Sequence, residues 1–266
     1  MTLTLLTWNV NSVRLRVPLL APLVDAARPD VIALQETKVA DGGSPLATFA
    51  ELGYGHAALN QGARGHGGVA ILSRLPIAHV ERPTWCDRAD GRHVYATLPD
   101  GIEVHSLYVP SGGEESDPAA NPRFAHKLRF LADVATWFAA RKRPRNRFVL
   151  MGDLNVAPLE SDVWSHRQLL KVVSHTPAEV KALASLQRAH DWIDAVRYFV
   201  PADEWLYSWW SYRAADWAAS DKGRRLDHVW VTPPLRPRLR AAAVLKDVRG
   251  WEPASDHVPV TVTLDA

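Results

Sequence analysis

Short apolar runs bounded by turn residues recur along the chain and predict eight β-strands. The runs are Leu3–Val10, Val31–Gln35, Gly68–Ser73, Val94–Leu98, Val104–Val109, Phe148–Gly152, Leu226–Thr232 and Val258–Leu264. Two other segments have apolar residues at helical spacing. Residues 121–140 follow an Asn-Pro cap, and a capping box at Thr176–Glu179 predicts a helix that extends to about His190.

Many strands with few helices, and no strict alternation between the two, favour an α/β fold in which two packed sheets are flanked by helices. The length of 266 residues is sufficient for a large core. No linker, low-complexity tract or change of composition divides the chain. We therefore expect a single domain over residues 1–266.

Composition narrows the class of protein without indicating a substrate. The chain is 47% hydrophobic and 23% charged, with a formal net charge of +2, so charge alone does not indicate nucleic acid. A signal peptide and an apolar membrane span are both absent from the sequence, and we expect no membrane association. The single cysteine, Cys86, allows neither an internal disulfide nor a cysteine-based zinc site. Together these features predict a cytoplasmic protein.

Polar side chains stand where several predicted strands end or begin. Asp153 and Asn155 follow the run Phe148–Gly152, and strand alternation would place them on the same side. The others are Asn9 and Asn11 after the first strand, Glu36 after the second, Tyr108 in the fifth, Asp227 in the seventh, and Asp256 with His257 before the last. Taken singly, each also suits a turn, a helix terminus or an ion-paired strand position.

The set as a whole indicates a metal-dependent phosphoesterase. Burying several carboxylates is costly unless something neutralises them, and a hard divalent cation with oxygen ligands does so. The set contains no cysteine and one prominent histidine, which favours Mg²⁺ or Mn²⁺ over zinc. An aspartate beside a histidine can also orient an imidazole. Metal, imidazole and carboxylate are the groups that metal-assisted phosphate-ester hydrolysis requires.

Eight motifs along the chain together resemble those of one family. They are "TWNVNSVR", "LQETK", "GHGGVAILS", "YVPSG", "MGDLNVAP", "YSWWSYR", "RRLDHVWV" and "SDHVPV". Their order and spacing, from residue 7 to residue 262, are similar to those of the exonuclease III family of abasic-site endonucleases. This family lies within the endonuclease/exonuclease/phosphatase superfamily. The resemblance implies a four-layer α/β sandwich of two mixed sheets flanked by helices.

The resemblance also implies an activity. We expect a base-excision-repair hydrolase that cleaves duplex DNA 5′ to abasic sites, with 3′-to-5′ exonuclease and 3′-end-cleaning activity. Its partner would be double-stranded DNA with abasic or damaged 3′ ends, and we expect a monomer. Two other hypotheses stay open: a phosphoesterase of lipid or inositol phosphates, and a non-catalytic DNA-binding relative. The second would be expected to lose Glu36, Asp153 or His257, which are all present.

Catalytic roles follow from the same resemblance. Asp153 is similar to the residue that orients or deprotonates the attacking water, and Asn155 and Tyr108 to those that contact the phosphate. Asp227 and His257 resemble the pair that holds an imidazole against the scissile group. Glu36 resembles the principal metal ligand. The implied metal-binding set is Asn9, Glu36, Asp153, Asn155, Asp256 and His257.

A further set of residues is expected to contact DNA. It comprises Asn11, Arg14, Ser111, Trp209, Trp210, Arg224 and Arg225. Ser111 stands where the family often has a longer amide side chain. Of the two tryptophans we expect one in the core, and we predict that Trp210 is a wedge at the lesion. Arg224 is predicted to contact a DNA phosphate, whereas Arg225 has the alternative of an ion pair within the fold.

Overall fold

The computed structural model describes residues 2–40, 42–62, 65, 67–214 and 216–265. Its strands are β1 (Thr2–Asn9), β2 (Val31–Gln35), β3 (His56–Asn60), β4 (Val69–Ser73), β5 (His79–Glu81), β6 (His93–Thr97), β7 (Glu103–Tyr108), β8 (Phe148–Asp153), β9 (Ile193–Asp194), β10 (Asp227–Val231), β11 (Leu239–Val244) and β12 (Val260–Asp265). Its α-helices are α1 (Val13–Ala27), α2 (Leu46–Glu51), α3 (Pro122–Arg141), α4 (His166–Leu169), α5 (Pro177–Ala189) and α6 (Trp217–Ser220).

The strands form two six-stranded mixed sheets that pack face to face. The first sheet has the order β11-β12-β1-β2-β4-β3, and the second has the order β5-β6-β7-β8-β10-β9. Alternate residues of a strand face opposite sides, so each central strand contributes to two cores. Leu5 and Val149 lie in the core between the sheets, whereas Leu6 and Leu150 lie in the outer cores.

Helices cover both outer faces. Helix α1 packs Leu20 and Leu23 against the first sheet. Helices α3 and α5 pack Phe130 and Leu183 against the second sheet. The result is the predicted four-layer α/β sandwich, and this prediction is confirmed.

All eight predicted strands are present, with ends that differ by no more than about two residues. The predicted helices correspond to α3 and α5, and the Thr176–Glu179 capping box is present. Strands β3, β5, β9 and β11 and helix α1 were not predicted. Helix α1 contains Pro18 and Pro22, which normally argue against a helix interior. Its buried face shows that packing overrides this local preference.

Strand pairing brings the polar strand ends together. Strands β7 and β8 are parallel neighbours and place Tyr108 beside Asp153. Strand β10 pairs antiparallel with β8 and places Asp227 on the other side of Asp153. In the first sheet, β1 and β2 are parallel, so Asn9 and the residue after β2, Glu36, lie at the same edge. The register of both sheets therefore gathers these side chains at one end of the sandwich. Among the described residues, no helix has the length and hydropathy of a membrane span.

Candidate active site

A pocket of about 830 Å³ opens at this end of the sandwich. Of the residues predicted from the sequence, those that line it are Glu36, Tyr108, Ser111, Asp153, Asn155, Trp209, Trp210, Arg224, Asp256 and His257. The pocket is large enough for a nucleotide-sized group and carries both carboxylates and cations.

Two site residues have backbone conformations that sequence alternation did not predict. Glu36 and Asn155 have φ angles of 50° and 53°, in the left-handed region. Asn155 lies beyond the end of β8, and its backbone N–H donates to Asp153 Oδ1 at 2.9 Å. Its side-chain amide then donates to Asp153 Oδ2 at 3.0 Å. A turn, and not strand alternation, therefore brings Asn155 beside Asp153.

The acidic side of the pocket is centred on Glu36. The Asn9 amide donates to Glu36 Oε1 (3.0 Å) and to Asp153 Oδ2 (2.9 Å), so it joins the two sheets. The Tyr108 hydroxyl also donates to Glu36 Oε1, at 2.8 Å, and Lys38 Nζ lies 2.8 Å from Oε2. Burial alone would raise the pKa of the Glu36 carboxyl, but the hydrogen bonds from Asn9 and Lys38 hold it below its ordinary value.

Tyr108 is a neutral hydrogen-bond donor in this site. Burial raises the pKa of its phenol well above the ordinary value, and the carboxylates of Glu36 and Asp153 add to the rise. The guanidinium of Arg92 lies over its ring, 4.7 Å from the centroid. This contact fixes the ring while the hydroxyl faces the carboxylates.

The imidazole of His257 lies between two aspartates. Its Nδ1 is 2.8 Å from Asp227 Oδ2, and its Nε2 is 3.7 Å from Asp153 Oδ2. Ser208 Oγ donates to Asp227 Oδ2 at 2.7 Å and accepts from the Asp227 backbone N–H at 3.0 Å. Asp227 thus has a fixed orientation, and it orients the ring.

The charges of this cluster are coupled. Burial disfavours the charged imidazole, but Asp227 and Asp153 outweigh it and raise the pKa of His257 to about 10. Burial raises the pKa of Asp153 to about 7; the His257 cation opposes this rise and Asp227 adds to it. With this pKa the imidazole is a cation at neutral pH; its Nδ1 donates to Asp227 Oδ2, whereas its Nε2 lies too far from Asp153 for a hydrogen bond.

The donor set suits a hard divalent cation. Within the described part of the chain, one group of acidic and histidine side chains has potential ligand atoms within 4.8 Å of one another: Asp153, Asp227 and His257. Asp227 Oδ1 is buried and has no hydrogen-bond partner among the residues that the structure describes. Glu36 and Asp153 both line the pocket, so a further carboxylate lies near this group. The carboxylate oxygens of this group are ligands of the kind that Mg²⁺ and Mn²⁺ prefer.

Several of the predicted DNA-contacting residues lie at the pocket rim. Asp256 accepts from the Asn11 amide at 3.0 Å and from Trp209 Nε1 at 2.9 Å, so both its oxygens are engaged by protein groups. Arg224 stacks over Trp209, 5.3 Å from the ring centroid, and donates to the Ser174 hydroxyl at 2.8 Å.

Two other members of that set are also solvent-facing. Ser111 is exposed and lines the pocket. Arg14 is exposed on α1, outside the residues that line the pocket, and makes long contacts of 3.4 Å to the Gly43 carbonyl.

Two predictions about DNA contacts are wrong. Trp210 is 1% exposed and packs with Tyr207 and Val258, so it belongs to the core and is not a wedge. The partly exposed member of the pair is Trp209.

Arg225 is also buried, and it forms ion pairs with Asp162 and Asp194. The alternative predicted for Arg225, an ion pair within the fold, is therefore the correct one. A buried, paired guanidinium cannot contact a DNA phosphate without breaking these pairs.

Three residues that shape the site were not predicted. Lys38 neutralises Glu36 and follows it closely in the "LQETK" motif. Ser208 orients Asp227 from the "YSWW" motif. Lys127 is fully buried on α3 and donates to the Asn155 carbonyl. Its sequence signal was a lysine three residues after Phe124 and four before Leu131, on the apolar stripe of a helix.

The geometry agrees with comparisons to known proteins. Residues 6–257 match the endonuclease/exonuclease/phosphatase family. The exodeoxyribonuclease III of Haemophilus influenzae is 30% identical over 268 residues, which cover 96% of this chain and 97% of that protein. An AP endonuclease from Archaeoglobus fulgidus has a TM-score of 0.91 at 29% identity, over 99% of this chain and 100% of that one. A 3′ phosphatase from Neisseria, bound to a product DNA hairpin, has a TM-score of 0.90 at 28% identity over the same shares. The resemblance to the exonuclease III family is thus confirmed.

Proposed function

Since this chain belongs to the endonuclease/exonuclease/phosphatase family, we propose that it is a metal-dependent DNA repair hydrolase. Its principal reaction is cleavage of duplex DNA 5′ to an abasic site. Exonuclease action from 3′ ends and removal of damaged 3′ groups use the same pocket. The relatives that support this substrate are an exodeoxyribonuclease III, an AP endonuclease and a 3′ phosphatase bound to DNA.

One observation carries the proposal: the His257 imidazole, which Asp227 orients from behind, faces one pocket together with the carboxylates of Asp153 and Glu36. Hydrolysis of a phosphodiester requires an activated water and stabilisation of charge at phosphorus. A DNA-binding relative without catalysis would have no need for a cationic imidazole beside two buried carboxylates, because such an arrangement is costly to bury.

Each group has a proposed role in the reaction. When the substrate binds, the Tyr108 hydroxyl exchanges its hydrogen bond to Glu36 for one to a phosphate oxygen, and Asn155, whose amide donates to Asp153, orients that carboxylate beside the ester. Asp153 accepts the proton of the attacking water as the bond between phosphorus and the 3′ oxygen breaks, and the leaving oxygen takes a proton from solvent. The His257 cation stabilises the negative charge that develops on phosphorus oxygens, and Asp227 holds the ring in position.

The metal would be held by oxygen atoms of Glu36, Asp153 and Asp227. When bound, Mg²⁺ or Mn²⁺ would neutralise these clustered carboxylates and stabilise charge on the phosphate. Asn9 orients two of the ligands, because its amide donates to both Glu36 and Asp153.

The DNA would be held at the pocket rim by Trp209 and Arg224. Trp209 offers a partly exposed aromatic face, and the Arg224 guanidinium stacked on it provides a positive charge. The family match over residues 6–257 supports one catalytic domain. The monomeric state and the cytoplasmic location stay predictions from the sequence.

The test is incubation of the purified protein with a duplex that contains one abasic site. We expect a single cut 5′ to the site with Mg²⁺ or Mn²⁺ and none in EDTA. Asp153→Asn, prepared in parallel, controls for a contaminating nuclease. Inositol phosphates and sphingomyelin provide the comparison for the alternative substrates. Turnover of these substrates, with no cut in the duplex, would reject the proposal, and binding without cleavage would identify a DNA-binding relative.

A further inference from the structure

A second cavity, of about 350 Å³, lies beside the catalytic pocket and shares Ser111 with it. Four basic side chains line this cavity: Arg88, Arg92, Arg123 and His126. The rest of its wall is formed by Pro110, Ser111, Gly112 and Pro122, which carry no charge. None of the four basic residues lines the catalytic pocket, so the cavity is a separate feature.

The positive charge of this cavity is little compensated by the protein. Among the described residues, one ion pair is made by its arginines, between Arg92 and Asp90 at 2.5 Å. Arg88 and Arg123 have exposed side chains and no carboxylate partner within the described ranges. The His126 Nε2 atom is buried and has no hydrogen-bond partner among them. Two guanidinium groups and one unpartnered imidazole nitrogen therefore line an open space.

The N-terminus of helix α3 adds positive electrostatic potential to this cavity. Asn121 caps the helix and Pro122 is its first residue, so the positive end of a helix of 20 residues lies at the cavity wall. The catalytic pocket differs in character, because carboxylates such as Glu36, Asp153 and Asp256 line it beside its cations. A polyanion that enters an acidic pocket requires cations next to it, and the second cavity supplies them.

Residues that line the two cavities also contact each other directly. Arg92 lies over the Tyr108 ring, and its backbone carbonyl accepts from the Tyr108 N–H at 2.8 Å. Tyr108 in turn donates to Glu36 in the catalytic pocket. A group bound at Arg92 is thus separated from the catalytic carboxylates by one aromatic side chain.

We propose that the cavity lined by Arg88, Arg92, Arg123 and His126 is a phosphate-binding subsite for the DNA strand next to the scissile phosphate. This inference rests on the proposed function, since the catalytic pocket must hold a phosphodiester for a neighbouring phosphate to arrive here. Arginine forks and the His126 nitrogen match the acceptor-rich phosphate group. The phosphate comes either from within the strand or from a strand terminus at a nick, and the two sources differ in charge and position.

The first experiment measures duplex affinity against salt concentration for wild type, Arg88→Ala/Arg123→Ala and Arg145→Ala. Ca²⁺ in place of Mg²⁺, or EDTA, prevents cleavage. Arg145 is the matched control, because it is an exposed arginine before β8, at the end of that strand opposite to Asp153. One lost phosphate contact should flatten the log–log slope by about one unit in the double variant, and Arg145→Ala should keep the wild-type slope. Equal slopes for wild type and the double variant would overturn the subsite.

The second experiment identifies the phosphate. Single internucleotide phosphates on either side of the abasic site are replaced, one at a time, by uncharged methylphosphonates. An internal source predicts one position at which replacement weakens wild-type binding but not that of the double variant. A terminal source predicts this pattern for a nicked duplex with a 5′-phosphate compared with a 5′-hydroxyl. If no position shows it, the proposal is wrong.

Failure of this inference is distinguishable from failure of the proposed function. A wild-type protein that cuts abasic DNA, with a double variant of unchanged salt slope, would keep the activity and reject the subsite. A protein that cuts no DNA but shows the coupled phosphate position would keep the subsite and reject the activity. Both arginines are exposed, so we expect the double variant to keep the wild-type melting temperature. The Arg88→Gln/Arg123→Gln variant repeats the measurement with less change in side-chain size.

Discussion

The Lys127 ammonium lies 2.7 Å from the backbone carbonyl of Asn155, although Lys127 is fully buried. It also donates to the Ser111 carbonyl at 3.2 Å and to the Glu179 carboxylate. One buried charge on α3 thereby ties together the turn after β8, the loop at the pocket rim and the start of α5.

Lys127→Met should destabilise the protein strongly. Removing one member of a buried ion pair leaves the Glu179 charge without its partner, and this costs about 3–5 kcal/mol of the free energy of unfolding. Urea unfolding measures the loss, with Lys181→Met on the exposed face of α5 as the control. Lys127→Met/Glu179→Gln should recover part of the loss, because it removes the unpaired charge. A single variant as stable as wild type would contradict this account.

Glu36→Ala should abolish metal-dependent turnover while the protein stays folded. The variant removes a carboxylate that we assign to the metal, but it creates no large cavity in the core. The measurement is cleavage rate against Mg²⁺ and Mn²⁺ concentration, with circular dichroism to verify folding. Full cleavage by the wild type in EDTA would refute the metal requirement itself.

Asp153→Asn and His257→Ala should each lower turnover by about 10²-fold or more, the usual scale for acid–base and charge-stabilising groups. Duplex affinity should change much less, since neither side chain lies on the exposed rim. Single-turnover rates and binding constants separate the two effects. Asp203→Asn, at an exposed position, controls for loss of a carboxylate. Near wild-type turnover in either site variant would remove that residue from the mechanism.

The two adjacent tryptophans should respond differently to truncation. Trp209→Ala should reduce the preference for abasic over intact duplex while it leaves the salt dependence of binding nearly unchanged, because stacking releases no counterions. Trp210→Ala should lower the free energy of unfolding by about 3–5 kcal/mol, since it empties a core position. Competition binding and urea unfolding on both variants make the comparison. If instead Trp210→Ala lost the preference for abasic duplex and Trp209→Ala lost stability, Trp210 would be the wedge.

The contribution of His93 to stability should fall as the pH drops below about 6.5. His93 and His105 are buried side by side, with 2.9 Å between His93 Nε2 and His105 Nδ1. Burial lowers the pKa of His93 well below its ordinary value, so the folded protein keeps it neutral where the unfolded chain binds a proton. Stability is then fully present above the unfolded pKa and is lost as the pH falls towards the folded pKa.

Urea midpoints between about pH 8 and pH 5.5 measure this loss. His93→Phe should flatten the pH dependence, because it removes one of the buried titrating groups. The exposed His79 serves as the control, since His79→Phe should leave the slope unchanged. An equal pH dependence of the midpoint in wild type and His93→Phe would contradict the prediction.

The strands and the site residues could be predicted from sequence for a common reason. Buried central strands such as β1 and β8 are continuous apolar runs, and polar residues at their ends are conspicuous against that background. Helix α1 escaped prediction because Pro18 and Pro22 interrupt its pattern, and only its packing on the first sheet explains it.

Local sequence could not predict which of two neighbouring side chains is buried in the core and which one faces the pocket. Trp209 and Trp210 have the same chemistry, and the residues that bury one of them come from distant parts of the chain, such as Val258. Lys127 was missed because a lysine on an apolar stripe acquires meaning only from its partner Glu179, 52 positions along the chain. These assignments depend on tertiary contacts that no short window of sequence contains.

The pairing of β1 with β12 has a consequence for protein synthesis. Thr2 pairs with Asp265 and Thr7 with Val260, so the first strand made on the ribosome waits for the last. The Trp8 side chain donates to the backbone carbonyl of His257, 249 positions later. A nascent chain therefore carries the carboxylates of the site long before it carries the imidazole. The catalytic site can therefore be complete only after β12 has left the exit tunnel, which prevents a nascent chain that lacks this strand from cutting nucleic acid.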